Sequence, residues 1–116
     1  MSNLARLNRL FRADGRCVIL SFDHGLFGEP SWFGGLRNLP EIIRAHAAEA
    51  PEGMTLPTGG ARLLQAIADR RKPSLLLRAD TSNAYLATHP EHQYDLPVTQ
   101  AVQRAVMLDA VCVVSS

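Results

Sequence analysis

The run Cys17-Val18-Ile19-Leu20-Ser21-Phe22 constrains the fold more than any other feature of this chain, because it is of strand length and almost continuously apolar. A strand with one face in water alternates apolar and polar residues, so a run without alternation belongs to a parallel strand buried on both faces. Ser74-Leu75-Leu76-Leu77-Arg78 and Ala110-Val111-Cys112-Val113-Val114 repeat the pattern. Gly53-Met54-Thr55-Leu56-Pro57 is a weaker strand, since Pro57 cannot donate to a ladder and fits only at a strand's end.

Helical spacing fills the intervals. Leu4, Leu7, Leu10 and Phe11 recur with Arg6 and Arg9 between them, which predicts a short amphipathic helix over 3–12 that Asp14-Gly15 ends. Pro40 sits where a second helix can begin, with Ile42, Ile43, Ala45, Ala47 and Ala48 as its apolar stripe up to Pro51. Thr58-Gly59-Gly60 opens a third over about 60–70, with Leu63, Leu64 and Ile67 on one side and a stop before Pro73. Residues 79–96 read as a polar, irregular segment. Pro97 then begins a fourth helix on Val98, Ala101, Val102, Ala105 and Val106, which Asp109 closes.

Strands alternating with helices in this order predict a parallel α/β fold, either a barrel or an open doubly wound sheet. A complete (β/α)8 barrel takes about 250 residues, whereas this chain has 116 and room for one domain. The barrel reading therefore makes 1–116 an amino-terminal half, about four βα units, with strands near 17–22, 53–57, 74–78 and 110–114. Half a barrel leaves two open sheet edges and exposed apolar surface.

Composition excludes several function classes. A net charge of +1 with scattered arginines gives no electrostatic footprint for nucleic acid. The most apolar run, 110–114, is far short of the roughly 18 residues of a membrane span, so no membrane partner is expected. The basic start lacks the apolar core and small-residue cleavage site of a secretion signal. Two cysteines in apolar runs read as reduced core thiols, and the expected compartment is the cytoplasm.

The run from Arg16 to Pro30, an apolar strand ending in Asp23-His24-Gly25 and followed by Gly28-Glu29-Pro30, resembles the opening strand of the DhnA-type class I aldolases. That group includes the archaeal-type fructose-bisphosphate aldolases and the autoinducer-2 thiolase relatives. Lys72 to Asp80, with Asn83 after it, resembles the family's third strand, while the stretch from about Ala50 to Gly60 departs from its second. The resemblance implies a TIM barrel, a Schiff-base lyase acting on a phosphorylated ketose such as fructose 1,6-bisphosphate, no cofactor and no metal. It also implies that the imine-forming lysine lies on a later strand, outside these residues, so that the chain alone is not catalytically competent. An iminium is the electron sink for the breaking C–C bond, and without the lysine there is no sink.

Each candidate residue carries two readings. Asp23 stands at the carboxyl end of the first strand, where a barrel's site opens, and is either a proton-moving carboxylate or the cap of a turn near Gly25. His24 either joins that proton transfer or is a hydrogen-bonded loop residue. Arg78 and Asp80 are candidate substrate-binding residues. They are expected on alternating sides of the strand's end, so that at most one faces the site, with an internal salt bridge or a turn role as the simpler view. Lys72, the chain's single lysine, lies at the amino end of the third strand and reads as a solvated charge rather than an imine former. Trp32 and Phe33 suit a lid over a sugar, a contact with another subunit, or packing over the barrel rim; His89, Glu91 and His92 read as a solvated loop rather than a metal site. Thr58-Gly59-Gly60 suits either phosphate or ordinary helix initiation.

Two functional hypotheses follow. One is an enzyme half, completed to a full barrel by other polypeptide and then binding a phosphorylated sugar. The other is a non-catalytic half-barrel that associates with itself or a partner to cover its edges.

Overall fold

The computed structural model describes residues 5–23, 38–82 and 95–115. Its chain order is α1 (Ala5–Asn8), β1 (Ile19–Ser21), α2 (Leu39–Ala48), β2 (Gly53–Leu56), α3 (Thr58–Gln65), β3 (Ser74–Arg78), β4 (Asp80–Ser82), β5 (Asp95–Pro97), α4 (Ala101–Met107) and β6 (Cys112–Val114). Four strands form one parallel sheet in the order β1-β2-β3-β6, and β4 pairs with β5 in a separate antiparallel ribbon.

Alternation along the strands divides the core into two layers. Met54 and Leu56 of β2 and Leu75 and Leu77 of β3 point to one face. There they pack with Ile43 and Ala47 of α2, Ala61 and Leu64 of α3, and Ala105 of α4. On the other face Leu76 packs with Leu10 and Val111. Gly53 belongs to that second face: a Cβ on it would come within 2.7 Å of both Leu10 Cδ1 and Leu76 Cδ1. Its bare backbone is what lets Leu10 lie against the sheet. Among the described residues six large side chains, Leu56, Leu64 and Leu77 included, are fully enclosed, and each such burial is worth about 1.5–3 kcal/mol.

Helix boundaries follow local chemistry. Asn38 caps α2, its side-chain oxygen accepting from Glu41 N at 3.4 Å while its amide donates to Glu41 Oε2 at 2.8 Å, and Pro40 lies in the first turn. The helix ends with Ala50 at φ 53°, and α4 ends with Asp109 at φ 56°, both in the left-handed conformation common just beyond helix ends.

Several expectations need correction. The segment expected to be irregular contains both strands of the β4–β5 ribbon, and Pro97 ends β5 rather than opening a helix; α4 starts at Ala101. Pro97 is compatible with a strand here because β5 is an edge. The 53–57 stretch, read as weak, is the most completely buried strand, enclosed between β1 and β3, with Pro57 just past its end. The third helix starts two residues earlier than expected, at Thr58, and stops at Gln65. In α4 only Ala105 of the expected apolar stripe is buried, while Val102 and Val106 are 66% and 56% exposed.

Candidate functional site

Three charged side chains are buried at the carboxyl end of the parallel sheet. Asp23 follows β1 by two residues, Arg78 ends β3, and Asp80 opens β4; they are 5%, 7% and 6% exposed. The two-residue period of extended chain explains the convergence. Phe22 donates its N–H to Thr55 O, so the β1 ladder continues past Ser21. Phe22 turns toward the helix layer, where its ring stacks on His46 with centroids 5.3 Å apart, and Asp23 is thereby directed to the opposite face. Arg78 shares that face with Leu76.

Arg78 Nε lies 3.0 Å from Asp80 Oδ1 and 3.6 Å from Asp23 Oδ2. One guanidinium at the end of β3 thus lies between a carboxylate just past β1 and one at the start of β4. Ala79, between Arg78 and Asp80, is pinned on both backbone sides: its N–H donates to Val114 O at 2.8 Å and its carbonyl accepts from Val98 N at 2.7 Å. The expectation that Arg78 and Asp80 sit on alternating sides is overturned, because residues two apart in extended chain share a side. The internal salt bridge is present, and Asp23 is part of it. Among the described residues Ser82 and Thr55, each 4% exposed, are the other buried polar residues.

At the opposite, amino end of the sheet lies a cleft of about 450 Å3 lined by Arg9, Glu52, Arg70, Arg71, Lys72 and Asp109. Its charges are largely consumed in pairs. Arg9 makes two hydrogen bonds to Asp109, at 2.8 and 3.0 Å, Arg6 approaches the same carboxylate at 3.6 Å, and Arg12 pairs with Glu52. The Arg9 hydrogen bonds hold the Asp109 carboxyl below its usual range; those from Arg12 and from Val18 N do the same for Glu52. Lys72 is not the solvated charge expected. Its Nζ donates to Gln65 O and Ile67 O, both at 2.9 Å, which ties the end of α3 to the loop before β3. Lys72 lies at the amino end of the sheet, opposite the Asp23–Arg78–Asp80 end.

Gly60 in the Thr58-Gly59-Gly60 turn has a packing role: a Cβ there would come 3.2–3.4 Å from Leu56, Leu39 and Ile43. Burial holds the Cys112 thiol above its usual pKa, and both cysteines are free thiols. Among the described residues no group of three or more His, Cys, Asp or Glu side chains is placed to hold a metal ion, and no helix is long and apolar enough to cross a membrane. His24, Trp32, Phe33, Asn83, His89, Glu91 and His92 lie outside the described residues.

The pairing of Asp23 with Arg78 has no local signal, since 55 residues separate them; the pairing of Arg9 with Asp109 spans 100. No family model, curated protein or solved structure matches this chain.

Proposed function

We propose that this chain forms the amino-terminal half of a (β/α)8 barrel of the class I aldolase type, and that the Asp23–Arg78–Asp80 cluster is its share of the active site. The order of strands supports a barrel over a doubly wound sheet. In the latter the chain reverses about its first strand, whereas here successive strands of the parallel sheet are neighbours. The convergence of three charged side chains, each at most 7% exposed, at the carboxyl end of that sheet carries the reading. Carboxyl ends are where barrel sites open, and charge is buried there at a cost that a purely structural role does not require.

In the reaction, a lysine from other polypeptide attacks the ketose carbonyl and loses water to give an iminium. Asp23 takes the proton from the hydroxyl on the carbon two bonds away from the iminium carbon. The bond from that carbon to the carbon adjacent to the iminium carbon breaks, its electron pair forms the enamine double bond with the iminium carbon, and the aldehyde leaves. Arg78, held in place by Asp80, orients the anionic substrate. His24 is a second candidate for the proton step.

Co-refolding the chain with the carboxyl-terminal half of an archaeal-type class I fructose-bisphosphate aldolase tests this directly. Fructose 1,6-bisphosphate plus borohydride should leave a covalent adduct on the complement's lysine, and cleavage should fall at least a hundredfold with Asp23→Asn while the adduct persists. A soluble, folded pair that traps no adduct would overturn the proposal.

A further inference from the structure

The cleft at the amino end of the sheet takes no part in the proposed reaction. Its walls come from the approaches to three adjacent strands rather than from a sheet edge: Pro51 and Glu52 lead into β2, Pro73 and Ser74 into β3, and Asp109 and Val111 flank the start of β6. Those approaches are tied to one another. Ser74 N donates to Glu52 O at 2.9 Å, Val111 N donates to Leu75 O at 2.8 Å, and Gln65 Nε2 donates to Leu108 O at 2.6 Å. A cleft built in advance costs a ligand little in ordering, and about 450 Å3 lies within the roughly 300–1,000 Å3 of small-molecule sites.

Its charge is one-sided. Asp109 is held by Arg9 and Arg6, and Glu52 by Arg12. What remains is the consecutive run Arg70, Arg71 and Lys72, all three of which line the cleft. Arg70 has no carboxylate partner among the described residues. Arg71 reaches Asp69 only at 3.4 and 3.5 Å, with its side chain 86% exposed, so a stronger acceptor can redirect it. Lys72 Nζ gives two of its three N–H donors to Gln65 O and Ile67 O, which fixes the ammonium and leaves a third donor. With their pairs included, six cations meet the carboxylates of Glu52, Asp69 and Asp109 at this end, in a chain whose whole net charge is +1. Arginines that are scattered along the sequence are thus gathered by the fold.

We infer that this cleft binds a small phosphorylated molecule, its phosphate held by Arg70, Arg71 and Lys72 and its remainder lying against Pro51, Pro73 and Val111. The planar guanidinium fork matches phosphate oxygens two at a time, and the ammonium adds a fixed point charge. Three adjacent cations suit a phosphate ester, which carries more charge than a single carboxylate. A concave site of this size fits a small molecule, whereas a polynucleotide follows an extended basic stripe. The inference goes beyond the aldolase reading and does not rest on it, because the cleft and the Asp23–Arg78–Asp80 cluster lie at opposite ends of the sheet.

Titrating the chain with phenyl phosphate at low salt, followed by two-dimensional 1H–15N NMR, tests it. Saturable shifts are expected at the amides of Arg70, Arg71, Lys72, Ser74 and Glu52. Arg70→Gln should weaken binding about tenfold, the loss of one charge-assisted contact, and Arg71→Gln replaces it should that variant not fold. Arg62→Gln, at an exposed position of α3 that does not line the cleft, should leave the affinity unchanged. Shifts that never saturate, or an equal loss with Arg62→Gln, would overturn the inference by showing attraction to diffuse positive charge. So would displacement of phenyl phosphate from these amides by a short single-stranded oligonucleotide that binds more tightly, which would make this end a nucleic-acid surface. Shifts confined to the Asp23–Arg78–Asp80 end would overturn it while leaving the aldolase reading standing, and borohydride trapping reads that proposal separately.

Discussion

The two ends of one parallel sheet treat charge in opposite ways. At the carboxyl end a single guanidinium lies between two carboxylates, all three at most 7% exposed. At the amino end more charges are present, but Asp109 is 56% exposed and its arginine partners 47%, so water screens what the protein pairs. The first arrangement costs desolvation and repays it only while every member is present. The second costs little and contributes little. A count of ion pairs would rank the amino end as the more important, whereas the energetic stakes lie at the carboxyl end.

Arg78→Met is the substitution that separates the ends most sharply. It strands two buried carboxylates and should lower stability by about 3–5 kcal/mol, read from the urea midpoint at constant slope. Adding Asp23→Asn and Asp80→Asn to it should recover most of the loss. A cost below about 1 kcal/mol for Arg78→Met would put both ends on the same footing and break the comparison.

Lys72→Met probes an intermediate case, a partly buried amine bonded to two backbone carbonyls rather than to a carboxylate. The expected loss is about 1–2 kcal/mol, and it should be insensitive to salt. A strongly salt-dependent loss would place Lys72 with the screened pairs instead.

Asp109→Asn should cost less than about 1 kcal/mol and shrink further in salt. Its pH dependence has a definite sign. The Arg9 hydrogen bonds depress the folded-state pKa below the ordinary value of 3.8, and those to Glu52 depress its pKa below 4.5. A depressed carboxyl pKa adds stability that is complete above the unfolded value and disappears as pH falls through the folded one. Acid below about pH 4 should therefore remove this contribution from the parent chain, and the stability curves of the parent and the Asp109→Asn variant should converge there. Curves that diverge instead would mean that Asp109 is not held by its arginines.

Much of this architecture is legible in the chain itself. Leu75-Leu76-Leu77 could only be a strand enclosed on both faces, and it is; Pro40 marks the start of α2 because a missing N–H is harmless in the first turn. What fails is set by pairing at a distance. Asp80-Thr81-Ser82 and Asp95-Leu96-Pro97 are poor strand sequences taken singly, and become strands only because each supplies the other's hydrogen bonds. Gly53–Leu56 looks weak because Pro57, which cannot donate to a ladder, follows it, yet the bare backbone of Gly53 is what the strand needs where Leu10 lies against it.

The candidate site divides in the same way. Asp23, Arg78 and Asp80 can be singled out by residue type and by position at strand ends, but the expectation of alternating sides for Arg78 and Asp80 misread their two-residue spacing, which in extended chain gives a shared side. That Asp23 joins them depends on β1 and β3 flanking the same strand in register, Ser21 and Leu76 both opposite Thr55.

Residue type and spacing alone settle which segments are strands buried on both faces, which are amphipathic, and where proline and glycine allow them to stop, because those properties reside in single side chains and their order. It takes the folded arrangement to make one guanidinium serve two carboxylates, to spend the lysine on α3, and to turn the apolar stripe of α4 outward. Each of those depends on which elements become neighbours, and burial is a property of the neighbours rather than of the residue.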